Sequence, residues 1–171
     1  MNRSELAHAI RDAALLSGSF TLRSGLVSDS YFDKYRFESD PRILRAVAES
    51  LAPHVPADTE YLAGLEMGGI PVVTMLSAVT GLPAVFVRKE AKAYGTCQLA
   101  EGADIAGKRL TIVEDVVTSG GAVIAAVHAL RERGAVVEHV LCVIDREQGG
   151  KAALEALNLQ VTALYLKTDL G

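Results

Sequence analysis

The sequence predicts an α/β fold, a central and mainly parallel sheet flanked by helices and preceded by a small N-terminal subdomain. Two observations predict it. From Tyr61 onward short apolar runs alternate with helical stretches: YLAGL at 61–65, a helix from Pro71, AVFVR at 84–88, LTIVED at 110–115, a helix from Ala122, VEHVLCVID at 137–145, a short helix, then VTALYL at 161–166. These runs are continuously apolar, as strands covered by helices on both faces must be, and helical crossovers make their neighbours parallel. Ligand sites in such sheets lie at the carboxyl ends of the strands.

The N-terminal elements read differently. Residues 4–16 give a helix, and 20–35 give a hairpin whose β-prone pieces are broken by Gly25, Ser28 and Asp29. Pro41 starts a helix in which Ile43, Val47 and Leu51 recur every four residues, ending near Pro53. No repeat, low-complexity segment or linker interrupts the chain. We expect one domain over 1–171, with N-terminal elements over about 1–55 joined to an α/β core over about 60–171. In the helix from Ala122, Val123, Val127 and Leu130 share the core face, Gly134 is placed to cap it, and His128 points away without a role.

Composition narrows the function. With 171 residues, 50% of them hydrophobic, the chain buries a sizeable core without disulfides or metals. The 17 basic and 21 acidic residues leave a net charge of −4, which argues against a nucleic-acid or anionic-membrane surface, so an anionic ligand must be caught locally. Cys97 and Cys142 stand far apart without metal-like partners, as suits plain thiols in a reducing cytoplasm. The N-terminus lacks the apolar core of a signal peptide. The uncharged stretch 67–87 is long enough to cross a bilayer, but Pro71, Gly81 and Pro83 divide it into a buried helix and a buried strand.

The sharpest feature is LTIVEDVVTSGG at 110–121, a buried strand running into two carboxylates, a small-residue loop and a helix. Thr118, Ser119, Gly120 and Gly121 let backbone N–H groups approach a phosphate, and the following helix N-terminus adds its dipole. Glu114 and Asp115 would repel a bare phosphate. They suit a sugar phosphate, whose hydroxyls donate to the carboxylates, or a hydrated cation beside it. An ordinary strand-to-helix turn would explain either half alone, but not both in this order.

Two further segments carry charge. RKEAKAYG at 88–95 reads as a flap on which Arg88, Lys89 and Lys92 can close over an anionic leaving group; a solvated charge run is the plain alternative. DREQGG at 145–150 places Arg146 after a strand, where its planar guanidinium can pair bidentately with a carboxylate; an Asp-Arg surface turn is as plausible locally.

Together these segments resemble a known family. The 114–121 motif is similar to the 5-phosphoribosyl-1-pyrophosphate signature of type I phosphoribosyltransferases. RKEAKAYG resembles the catalytic loop of orotate phosphoribosyltransferases, with Tyr94 where many members carry histidine. DREQGG, FTLRSG at 20–25 and SYFD at 30–33 resemble further segments of the same family, the last two forming its hood. GLEMGGIP at 64–71 fits its pyrophosphate loop, without the lysine some members carry at the Gly68 position.

The resemblance implies the type I phosphoribosyltransferase fold and transfer of ribose 5-phosphate from phosphoribosyl pyrophosphate to orotate, a step of pyrimidine synthesis. It implies donor binding by Arg23, Met67, Gly68, Arg88, Lys89, Lys92, Tyr94 and the run Glu114, Asp115, Val116, Val117, Thr118, Ser119, Gly120, Gly121 and Ala122. At Met67 and Gly68 only backbone contacts carry over. Orotate would be held by Phe32, Asp33, Thr118 and Arg146, with Lys89, Lys92, Glu114 and Asp115 catalytic. Mg2+ would be held mainly through the donor and water, Asp115 being the candidate protein ligand, and a homodimer would share its active sites. A purine or uracil phosphoribosyltransferase would need no arginine for a carboxylate, and a non-catalytic regulator of this fold would gain little from a cationic flap.

Overall fold

The structure, a computed structural model, describes residues 1–21, 25–90 and 99–171. Helix α1 (Arg3–Ala14) opens on a capping box, the Asn2 side chain accepting from Glu5 N–H and the Glu5 side chain accepting from Asn2 N–H. It buries Leu6, Ile10 and Ala14. The expected helix ran to residue 16, but it stops at Ala14, whose carbonyl accepts from Asp33 N–H at 2.8 Å. Leu15 then pairs with Phe32, so the hairpin of β1 (Leu15–Thr21) and β2 (Val27–Phe32) begins earlier than expected.

A short helix the sequence reading did not anticipate follows: α2 (Lys34–Glu38), pinned by the fully buried Phe37. Helix α3 (Pro41–Leu51) matches expectation, with Pro41 in its first turn and the Asp40 carboxylate accepting from Arg42 N–H and Ile43 N–H.

The core elements are β3 (Tyr61–Leu65), α4 (Gly69–Thr80), β4 (Ala84–Val87), β5 (Ala100–Glu101), β6 (Arg109–Val117), α5 (Gly121–Glu132), β7 (Val136–Asp145), α6 (Gly150–Glu155) and β8 (Gln160–Leu166). They build a six-stranded sheet in the order β5-β4-β3-β6-β7-β8, parallel except for β5. The chain runs from β3 outward to β4 and β5, then returns to lay β6 on the other side of β3. That reversal opens a crevice beyond the carboxyl ends of β3 and β6, where open α/β sheets bind ligands.

Both faces are covered. On one, Leu6, Ile10, Phe37, Val47, Leu51, Val72 and Leu76 from α1 to α4 form a continuous core with the sheet; on the other, Val123, Val127, Leu130 and Leu154 from α5 and α6 do so. The start of α4 presses so closely on the strands that a Cβ on Gly69 would lie 2.5 Å from the Val113 carbonyl oxygen. Charges collect at the sheet's opposite end: Arg109 bonds Asp58 at 2.7 Å and Glu138 at 2.8 Å, and Lys108 bonds Glu60 at 3.0 Å. Among the described residues, no helix is long and apolar enough to cross a membrane.

Candidate active site

The end of β6 carries two carboxylates into the crevice. Asp115 is wholly buried and Glu114 nearly so. One Asp115 oxygen accepts from Val116 N–H at 2.8 Å, and the other lies 2.6 Å from the ammonium of Lys34, delivered by α2. Burial opposes ionisation of Asp115, but hydrogen bonds from Glu114, Glu38 and Lys34 outweigh it and hold the carboxyl below its usual range. Lys34 is pulled down by burial yet raised on balance by its bond to Asp115.

Glu38, one turn along α2, is 5% exposed, and neither of its oxygens finds a donor among the described residues. Burial, then the neighbouring Asp115, push its carboxyl up to about 9. Its surroundings thus favour the protonated carboxyl, the form that can donate to Asp115. Burial and Asp115 push Glu114 up as well.

Between β6 and α5, Thr118 and Ser119 are exposed while Gly120 turns the chain with φ +80°. The first-turn N–H groups of α5, including those of Gly121 and Ala122, have no partner within the helix and face the loop's side. Val116 and Val117 still belong to β6; their backbone groups are engaged, the Val117 carbonyl accepting from Arg146 N–H at 2.9 Å. Gly150 packs directly on the Thr118 carbonyl, leaving no space for a Cβ.

The bond to Val117 fixes where Arg146 leaves the sheet. Arg146 follows β7, and its guanidinium carbon lies 5.8 Å from the centroid of the Phe32 ring. Its Nε is buried without a hydrogen-bond partner among the described residues. Phe32, Tyr31, Ile144, Arg146 and Lys167 help line a cavity of about 460 Å³. Asp145 accepts from Glu147 N–H at 2.8 Å, holding the turn, while half-buried Asp33 stands at the head of α2.

The β3–α4 turn brings Met67, exposed, and Gly68, buried against Asp115 so closely that a Cβ would overlap the carboxylate. Across from it, Arg88 N–H donates to the Leu99 carbonyl at 2.9 Å and Lys89 N–H to a Glu66 carboxylate oxygen. Arg88, Lys89 and Ala122 line a second cavity of about 260 Å³, and the Arg88 Nε is also buried without a partner among the described residues. Arg23, Lys92 and Tyr94 lie outside the described residues.

Comparison with known proteins decides the family. A model of the phosphoribosyl transferase domain matches residues 37–157. The orotate phosphoribosyltransferase of a Nocardioides species is 50% identical over 165 residues, 96% of this chain and 92% of that one. The chain belongs to the orotate phosphoribosyltransferase family. Among solved structures, that of the Mycobacterium tuberculosis orotate phosphoribosyltransferase superposes with a TM-score of 0.91 at 34% identity, covering 100% of this chain and 99% of the other. A structure of the same enzyme in complex with 5-phospho-α-D-ribosyl 1-diphosphate superposes with a TM-score of 0.86 at 31% identity, again covering 100% and 99%.

Lys34 and Glu38 are the site residues that sequence reasoning passed over in this family member. The signal was present in their four-residue spacing after Asp33, which puts both on one helical face beside Phe37. Without α2, nothing in the linear sequence sets the pair beside Asp115.

Proposed function

We propose that the chain transfers the ribose 5-phosphate group of phosphoribosyl pyrophosphate to N1 of orotate, releasing pyrophosphate and giving orotidine 5′-monophosphate in pyrimidine synthesis. One observation carries the acceptor side: Arg146 reaches over Phe32 with a buried Nε that has no partner among the described residues, and its backbone bond to Val117 holds it beside the strand that bears Glu114 and Asp115. A flat base stacks on the ring while its carboxylate satisfies the guanidinium, which a base lacking that group leaves unpaired. Asp33 and Thr118 complete the acceptor's polar contacts.

On the donor side, the loop from Thr118 to Gly121 and the head of α5 hold the 5-phosphate. Glu114 and Asp115 take the ribose hydroxyls and favour positive charge on the ring as the glycosidic bond breaks. The backbone at Met67 and Gly68, with Arg88, Lys89, Lys92, Tyr94 and Arg23, meets the pyrophosphate.

No group of three or more His, Cys, Asp or Glu side chains among the described residues is placed to hold a metal, and Asp115 is already engaged by Lys34. Mg2+ would be held there mainly through the pyrophosphate and water, with Asp115 as the candidate protein ligand, and would neutralise charge on the leaving group. The protein's part is to orient the donor and exclude water from it. We further propose a cytoplasmic homodimer in which each flap serves the neighbouring site.

Purified protein mixed with phosphoribosyl pyrophosphate, Mg2+ and orotate should consume orotate, followed by absorbance, and should leave hypoxanthine and adenine untouched. Turnover with one of those bases and none with orotate would overturn the acceptor assignment.

A further inference from the structure

The pyrophosphate loop from Glu66 to Gly69 contributes no cation of its own. Yet an ammonium stands beside it. Lys34 Nζ lies 2.6 Å from Asp115 Oδ2, and the same carboxylate oxygen fills the space where a side chain on Gly68 would begin. The ammonium and the Gly68 backbone thus flank the same Asp115 oxygen, although the lysine comes from α2, an element of the N-terminal region. Lys34 is half-buried, so its approach to the crevice is built into the packing around Phe37.

The local charge makes this position informative. Glu38 and Glu114 both bear on Asp115, and Lys34 is ion-paired with the Asp115 carboxylate. A pyrophosphate ester entering beside the ionised Asp115 is repelled by it unless a cation stands at that point. A ribose hydroxyl donating to Asp115 competes with the ammonium for the same oxygen and sets it free.

We propose that Lys34 is a donor-binding residue, its ammonium passing from Asp115 to the pyrophosphate of phosphoribosyl pyrophosphate as the ribose hydroxyls take that carboxylate. The proposal rests on the donor site described above, and it adds a contact supplied by the N-terminal region to the pyrophosphate end.

The test compares Lys34→Met and Lys34→Arg with the unsubstituted chain, measuring the KM for phosphoribosyl pyrophosphate and calorimetric binding of that donor and of ribose 5-phosphate, each with Mg2+. Ribose 5-phosphate has the hydroxyls and the 5-phosphate but no pyrophosphate. Lys34→Met should weaken the donor by about tenfold or more, the worth of a charge-assisted hydrogen bond. Ribose 5-phosphate should bind within about threefold of the unsubstituted chain, and Lys34→Arg should recover most of the donor's affinity. Equal weakening of both ligands would reduce Lys34 to a counter-ion for Asp115, and an unchanged donor would also overturn the proposal. If the Met variant does not fold, acetylation of Lys34 in the unsubstituted chain, read by mass spectrometry, decides: the donor should protect it and ribose 5-phosphate should not. Donor binding without orotate turnover in the unsubstituted chain would refute the acceptor reading while these binding comparisons still judge Lys34.

Discussion

Arg146 and Glu38 are single side chains whose surroundings make quantitative demands. Replacing Arg146 by alanine removes the guanidinium stacked near Phe32 and should raise the KM for orotate about 10- to 100-fold, the range for a charged hydrogen-bonding pair, while the donor's KM moves little. Lysine at the same place should recover little, since a point charge cannot reproduce the planar fork. Glu38 is held protonated in the folded chain by a carboxyl raised from 4.5 to about 9. Its contribution to stability is therefore complete below pH 4.5 and is lost as pH climbs towards 9. Glu38→Gln keeps the shape without the proton, so the melting temperature of the variant relative to the unsubstituted chain should rise steadily across that window. A constant difference would show that Glu38 does not titrate there. Arg146 was marked in the sequence by the resemblance of DREQGG to a segment of the family, since on local pattern alone an Asp-Arg surface turn read as well. Glu38 was not, because the distant residue that perturbs it, Asp115, meets it only in the fold.

At the scale of elements, the site is a pair of loops that brace each other. The turn after β6 presents Thr118 to Gly121, and the turn after β7 packs Gly150 against the Thr118 carbonyl. Gly150→Ala should push that loop out of place, raising the donor's KM severalfold and costing about 1–3 kcal/mol of stability from overpacking. Steady-state kinetics with a urea melt measure both; an unchanged KM would mean that the loop's position does not depend on Gly150. The strand, acidic pair and loop were legible as a linear motif because all their parts are adjacent in the chain. The early start of β1 and the existence of α2 were not. Leu15 and Leu16 suit a helix as well as a strand, and pairing with Phe32 and Tyr31 decides between them only in three dimensions.

For the whole molecule, the continuous apolar runs made the parallel sheet and its two helical covers readable. Strand order was not, because a crossover's length leaves open on which side of β3 the chain returns. That return, placing β6 beside β3, creates the crevice. The two cores on either side of the sheet hold it. Leu130→Ala on α5 empties space in a fully buried position and should cost about 2–5 kcal/mol in a denaturant melt. Donor binding should survive below the shifted transition, because Leu130 lies two turns from the loop. Loss of binding in the folded variant would show that the far end of α5 governs the loop at its head.

We expect one arginine, Arg146, to decide which base this site accepts. The decisive comparison is kcat/KM for orotate against that for uracil, the same ring without the carboxylate, in the unsubstituted chain and in Arg146→Ala. The unsubstituted chain should prefer orotate by about 10⁴-fold, as sites built around a polar group do, and the variant should lose most of that preference. A preference that persists undiminished in Arg146→Ala would mean that another group reads the carboxylate.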